Sequence, residues 1–172
     1  YGMVYLLMGS DDDAEWYIWQ LDKDYQVIKT FDISGFFEKK QMPNWFLIDK
    51  DGNFYLQWLF ERDGILIDRE GKLKNRFTLE SLEIGWTYEA AVGKDGAIYL
   101  VYEVEKKNFE IGRLNTESCS IENGVSIPEL QDSSTFSEMS AGTDTNLLLY
   151  SPMTGAWAID VDSGVIENRV PV

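Results

Sequence analysis

No histidine occurs anywhere in this 172-residue chain. The usual general base, the usual zinc ligand and every Ser-His or Cys-His nucleophile pair are therefore absent. Cysteine occurs once, as Cys119, which excludes an intrachain disulfide and a cysteine-based metal cluster. With no imidazole to activate it, Cys119 reads as an inert small residue rather than a nucleophile. Bases are scarce: 15 Lys and Arg face 30 Asp and Glu, for a net charge of −15. Such a surface repels phosphate backbones and anionic membranes, so no nucleic-acid partner is expected. No apolar run approaches the roughly 18 residues of a spanning helix, so no direct membrane insertion is expected. The opening Tyr1-Gly2-Met3 shows no charged segment followed by a long apolar run, so no signal peptide is expected within this stretch, which reads as cytoplasmic or as a mature or excised piece of something longer. Neither G-x-G-x-x-G nor G-x-x-x-x-G-K-[ST] is present, which removes the familiar nucleotide-binding signatures.

What the chain does have is aromatic mass and turn residues. Hydrophobic residues make up 44%, with nine Phe, nine Tyr and six Trp, enough for a packed core in a domain of this length. They come in short runs broken by Gly, Asp and Asn, which is strand punctuation rather than helix periodicity. One pattern recurs: apolar run, Asp-Gly-type turn, apolar-aromatic run. Its copies are Leu47-Ile48-Asp49-Lys50-Asp51-Gly52-Asn53-Phe54-Tyr55-Leu56, Ala91-Val92-Gly93-Lys94-Asp95-Gly96-Ala97-Ile98-Tyr99-Leu100 and a worn version from Ser140 to Leu149. Asp51, Asp95 and Asp144 lie 44 and 49 residues apart, a period that marks a row of similar supersecondary units.

Aligned on these turns, the units divide at about 1–40, 41–84, 85–133 and 134–172. The second reads as strands Trp45-Asp49, Phe54-Phe60, Gly64-Asp68 and Lys72-Leu79, with tight turns at Asp51-Gly52, Arg62-Asp63-Gly64 and Glu70-Gly71. Gly suits such turns because it accepts positive φ, and Asp tolerates it. The third reads as Tyr88-Val92, Ala97-Glu103, Asn108-Asn115 and Ser120-Ile127, and the fourth as Ser137-Ala141, Asn146-Tyr150, Ala156-Asp160 and Val165-Val170. The first supplies only three: Val4-Met8, Trp16-Asp22 and Gln26-Ile33. Several strands, such as Phe54 to Phe60, are apolar on both faces. Hairpin-linked strands buried on both faces belong to sheets stacked between other sheets, as in the blades of a propeller.

The unit apolar-x-Asp-x-Asp-Gly-Asn-aromatic-Tyr-Leu, followed by Ile67-Asp68-Arg69-Glu70-Gly71-Lys72-Leu73, resembles the blade repeat of bacterial β-propeller proteins, many of them secreted or lipid-anchored. Neither the Gly-His…Trp-Asp pair of WD40 blades nor the paired glycines of kelch blades is present. The expected fold is all-β: a β-propeller of about four blades of four antiparallel strands, the first blade incomplete, forming part of a larger propeller. By the resemblance, an extracellular or cell-surface location in a bacterium is expected.

Candidate sites follow from residue chemistry. Asp49-Lys50-Asp51-Gly52-Asn53 resembles the opening of a calcium loop, but its twelfth position is Phe60 where a bidentate Glu belongs; a hairpin turn is the better reading. Asp11, Asp12 and Asp13, with Glu15, form a dense acidic loop that is a candidate calcium site or else a solvated loop tip. The segments joining one unit to the next carry Phe36, Phe37, Trp45, Trp86, Tyr88 and Phe136. On a propeller these lie at one face around the channel. There Trp45, Trp86, Tyr88 and Phe136 would form a stacking platform for sugar rings or a hot-spot patch for a protein, or else plug the gaps between blades. No catalytic residue is assigned and no cofactor other than calcium is implied. The expected function is a non-enzymatic module binding a protein or glycan. The alternatives are a carbohydrate-active enzyme using paired carboxylates, which needs no histidine, and a purely structural half of a larger propeller. Such a half would form a homodimer or be completed by further blades.

Overall fold

The computed structural model describes residues 3–10, 15–36, 42–58, 62–105, 108–127, 138–142, 147–152 and 155–170. Within them the chain folds as fifteen β-strands and one 3-10 turn, Ser34–Phe36. The strands form four antiparallel meanders. The first sheet holds β1 (Val4–Ser10), β2 (Glu15–Leu21) and β3 (Val27–Asp32). The second holds β4 (Trp45–Ile48), β5 (Phe54–Trp58), β6 (Asp63–Ile67) and β7 (Leu73–Thr78). The third holds β8 (Trp86–Val92), β9 (Ile98–Glu105), β10 (Asn108–Asn115) and β11 (Ser120–Ser126), and the fourth β12 (Glu138–Ala141), β13 (Leu147–Ser151), β14 (Gly155–Asp160) and β15 (Val165–Val170). Every neighbour in sequence is a neighbour in its sheet. The first strands of the second, third and fourth sheets gather on one side, β8 lying against both β4 and β12.

The tight turns share a device that explains the repeat. At Asp49 the carboxylate accepts the backbone N–H groups of Asp51 (2.9 Å) and Asn53 (2.8 Å) and the Asn53 side-chain amide (2.7 Å). All of its acceptors face its own turn, so the residues that resemble a calcium loop close a hairpin. Asp22, Asp68, Asn115 and Asp160 do the same for the turn between the third and fourth strand positions of each sheet. These four residues fall 46, 47 and 45 residues apart, a steadier rhythm than the Asp-Gly pairs. Three or four residues on, each turn needs left-handed backbone. Gly71 and Gly164 supply it at φ 89° and 71°, but Tyr25 and Cys119 adopt it at 59° and 55°. A side chain there costs about 1–2 kcal/mol.

Two sequence expectations are corrected. Gly64 does not make a turn; it lies within β6, where a Cβ would sit 2.2 Å from the Phe77 ring and 2.6 Å from the Leu56 carbonyl oxygen. The positive φ falls instead on Arg62, at 56°. The third sheet also begins at Trp86 rather than Tyr88, because a bulge lets pairing run two residues further back.

The core lies between the sheets, not within any one of them. Trp16, Ile18, Phe31 and Ile33 of the first sheet pack on Phe54, Leu56, Trp58, Ile65 and Ile67 of the second. The second sheet's opposite face, with Tyr55, Leu66 and Phe77, meets Ala90, Ile98, Leu100 and Tyr102 of the third. Tyr99, Val101, Phe109 and Ile111 then meet Leu147, Leu149, Trp157 and Ile159 of the fourth. Adjacent residues such as Phe54 and Tyr55 therefore serve different cores, which is why these strands are apolar on both faces. Each such side chain contributes about 1.5–3 kcal/mol by leaving water.

One polar chain crosses the second seam. Gln57 and Thr87 are fully buried. The Tyr55 hydroxyl donates to the Gln57 side-chain carbonyl, and the Gln57 amide donates to Thr87 Oγ1 at 3.1 Å.

Candidate binding face at the inner strands

β8 is irregular. Trp86 and Thr87 stand opposite Glu103 and Tyr102, but Glu89 already stands opposite Val101, so Tyr88 is an inserted residue. Bulges of this kind re-aim side chains and concentrate near sites of function. The Tyr88 ring is held edge-on to Phe109, with centroids 5.1 Å apart at 82°, against the seam between the third and fourth sheets. Its hydroxyl donates to the Glu103 carboxylate at 3.3 Å, and burial, then that carboxylate, pushes the phenol pKa up.

Glu89 follows on the same strand. Burial raises its carboxyl above the usual range, and the charge of Glu138 on β12 adds to the rise. The Ala90 N–H and the Trp45 indole N–H, which donate to it, act in the opposite sense. The bulge thus joins three inner strands: Trp45 from β4, Glu89 from β8 and Glu138 from β12. Trp45 is half-buried against the seam between the second and third sheets. Trp86 is also half-buried. The entry to β8 is fixed from both sides, Gly85 N–H donating to the Glu103 carbonyl (2.7 Å) and Arg62 donating to the Gly85 carbonyl (2.9 Å).

Of the residues singled out by sequence, Trp45, Trp86 and Tyr88 lie at this end of the inner strands. Phe36 packs into the seam between the first and second sheets. Phe37, Phe136 and Asp11, Asp12 and Asp13 lie outside the described residues. Among the described residues there is no cluster of three or more metal-ligating side chains. The acids Glu89, Glu103 and Glu138 were missed by sequence reasoning, since among 30 acids nothing marks these three until the bulge brings them beside the aromatics.

The opposite end of the strands carries a cleft of about 290 Å³, lined among others by Asp49, Lys50, Asp51, Asp95, Arg113 and Asn115. Its main polar groups are already engaged. Arg113 donates to Asp95 (2.8 Å), to the Tyr99 hydroxyl (2.9 Å) and to Asp162 across the seam (3.2 Å). Burial pushes the Tyr99 phenol pKa up to about 12. This is a tie between the third and fourth sheets, built on a partly exposed Arg.

No protein-family model matches the chain, and no curated protein is similar to it. Solved structures are. Virginiamycin B lyase from Staphylococcus aureus superimposes with a TM-score of 0.58 at 19% identity, over 94% of this chain and 53% of that one. A catalytically inactive histidine-to-alanine variant of that lyase, with quinupristin, gives 0.59 at 20% identity, over 96% and 55%. A protein of unknown function from Bacteroides caccae gives 0.57 at 15% identity, over 100% and 59%. The fold is a β-propeller. The four sheets are its blades, and the chain spans a little over half the length of the solved propellers it matches. At these identities the likeness is one of fold, and function must be argued from the site.

Proposed function

We propose that this propeller segment is a non-enzymatic binding module, displayed outside the cell or at its surface, which takes a glycan or a protein segment at the inner-strand face. The observation that carries this reading is the Tyr88 bulge, which sets Trp45, Trp86 and Tyr88 among the carboxylates of Glu89, Glu103 and Glu138. Flat rings stack on the apolar faces of sugars or on aromatic and cationic side chains, while carboxylates accept hydroxyl or ammonium protons. The placement on bladed sheets of the bacterial propeller type supports the extracellular location. The lyase loses activity when one of its histidines is replaced by alanine; this chain holds no histidine, which favours binding over that chemistry for the stretch in hand. A screen of neutral and acidic glycans and of basic peptides would identify the ligand. Trp86→Ala should then weaken binding at least ~10-fold, with far-ultraviolet dichroism unchanged. Unchanged affinity sinks the platform reading.

A second reading rests on Glu89. A carboxyl whose hold on its proton is raised by burial, with a second carboxyl, Glu138, near it, is an arrangement that acid-assisted glycoside hydrolysis uses. Under it, hydrolysis of a glycan substrate would be detectable and lost in Glu89→Gln, whereas the binding module would return every glycan intact from the parent chain.

A further inference from the structure

A second recess lies apart from the inner-strand face, where the segment joining the second and third sheets packs on the outer strands of the third. It measures about 310 Å³. Its walls are apolar: Leu82, Ile84 and the Tyr102 ring are buried, Ile121 is half-buried, and Val104 stands exposed at the rim. Its polar groups are the carboxylates of Glu83 and Glu110 and the Tyr102 hydroxyl, which donates to Glu110 Oε2 at 3.0 Å. Burial, then that carboxylate, pushes the Tyr102 phenol pKa up, so the phenol remains a neutral donor. Gly124 keeps the pair accessible, since a Cβ there would sit 2.6 Å from the Tyr102 hydroxyl and 2.7 Å from Glu110 Oε2. Among the described residues no lysine or arginine lines the recess, and neither carboxylate makes an ion pair.

We propose that this recess takes a lysine side chain from a partner polypeptide whose backbone passes along the edge of β11. Lysine lays its apolar stem along apolar surface while its compact cation stays with polar partners. Here Leu82, Ile84 and Ile121 supply the surface, and Glu83 and Glu110 accept the ammonium protons. Tyr102 already occupies one oxygen of Glu110, which leaves a point acceptor rather than the two-oxygen fork that suits arginine. An acidic side chain or a phosphate would meet two like charges in a chain of net charge −15. A sugar finds no exposed ring to stack on, because Tyr102 is buried. Gly124 lies on β11, the outermost strand of its sheet, paired to β10 on one side only. Such an edge accepts an extended segment through main-chain hydrogen bonds, while a pocket beside it reads the side chain. Tyr102 serves the core shared with the second sheet, and Tyr88 packs on the one shared with the fourth. The recess is therefore on the opposite face of the third sheet from the Tyr88–Glu103 pair and does not depend on what the inner strands bind.

The test is a nuclear magnetic resonance titration of the isotope-labelled chain with a blocked pentapeptide, Gly-Ser-Lys-Ser-Gly. Saturable shifts are expected at the amides of Glu83, Gly124 and Val125, with a dissociation constant on the order of 1 mM. The same peptide with norleucine for lysine keeps the stem, loses the ammonium and should bind at least ~5-fold more weakly. Glu110→Gln keeps the shape and an acceptor for Tyr102 but removes the charge. It should weaken lysine binding at least ~5-fold with the rest of the spectrum unchanged. Should that variant not fold, Glu83→Gln, at an exposed side chain, carries the same expectation. Added salt should weaken binding to the parent chain. Norleucine binding as tightly as lysine overturns the proposal, as does undiminished binding in the folded variant. Shifts scattered over the acidic surface, or centred on the Trp45 and Trp86 indoles instead, also overturn it. Butylamine matching the peptide would assign the recess to a small amine and overturn the partner polypeptide.

Discussion

Thr87→Val isolates one interaction inside an otherwise apolar seam. Thr87 and Gln57 are fully buried, and the Gln57 amide donates to Thr87 Oγ1 at 3.1 Å from the neighbouring blade. Valine keeps the volume and the branching, so it opens no cavity and strains no rotamer. It leaves one N–H of a buried carboxamide without its acceptor, at about 1–3 kcal/mol. The added methyl returns up to about 0.8 kcal/mol, for a net loss of about 1–2 kcal/mol. In a chain of this size each kcal/mol is worth about 2–4 °C, so the midpoint should fall by about 2–8 °C, and the urea midpoint with it. Gln57→Leu should cost at least as much, since it orphans the Thr87 hydroxyl and the Tyr55 hydroxyl together. The double variant should then be milder than the sum of the two, with a coupling of about 0.5 kcal/mol or more. All four proteins must be compared at one protein concentration. A Thr87→Val variant as stable as the parent, or strictly additive effects, would refute the claim that this bond helps hold the two blades together.

Tyr25→Gly should stabilise the chain by about 1 kcal/mol, since Tyr25 is exposed at φ 59° and glycine adopts that backbone without a Cβ clash; a thermal melt reads it. Glu89→Gln should raise the midpoint at neutral pH. The folded carboxyl holds its proton more tightly than the unfolded one, chiefly through burial. Its contribution is therefore fully present below the ordinary glutamate range and is lost as pH rises through the raised folded value. The variant's advantage should shrink as the medium is acidified, and melts across that range would show whether it does.

The strand pattern was plain in the sequence because each run of aromatic and β-branched residues serves two seams at once, as Phe54 and Tyr55 do. The fifteen expected strands match the fifteen among the described residues to within two residues at nearly every end. Turns were less legible. Asp49 and Asp68 do their work through side-chain oxygens aimed at their own backbone, which is local chemistry and readable. Tyr25 and Cys119 take the place of a glycine against their own preference, which no propensity foretells. Gly64 looked like a turn residue, yet its small size makes room for Phe77 on the next strand. The acids of the inner face stayed hidden for the same reason. A bulge at Tyr88 is a matter of register between β8 and β9, and register is a property of the pair rather than of either strand.

The three separate cores bear on how the molecule comes apart. Among the described residues each is shared by two adjacent blades, and none links blades further apart. Stability then behaves as in a one-dimensional chain of coupled units, a sum over blades and over nearest-neighbour seams. Releasing either end blade ruptures one seam, whereas releasing a middle blade ruptures two. Opening therefore starts at the ends and travels inward, so whatever caps the terminal faces sets the lifetime of the whole row.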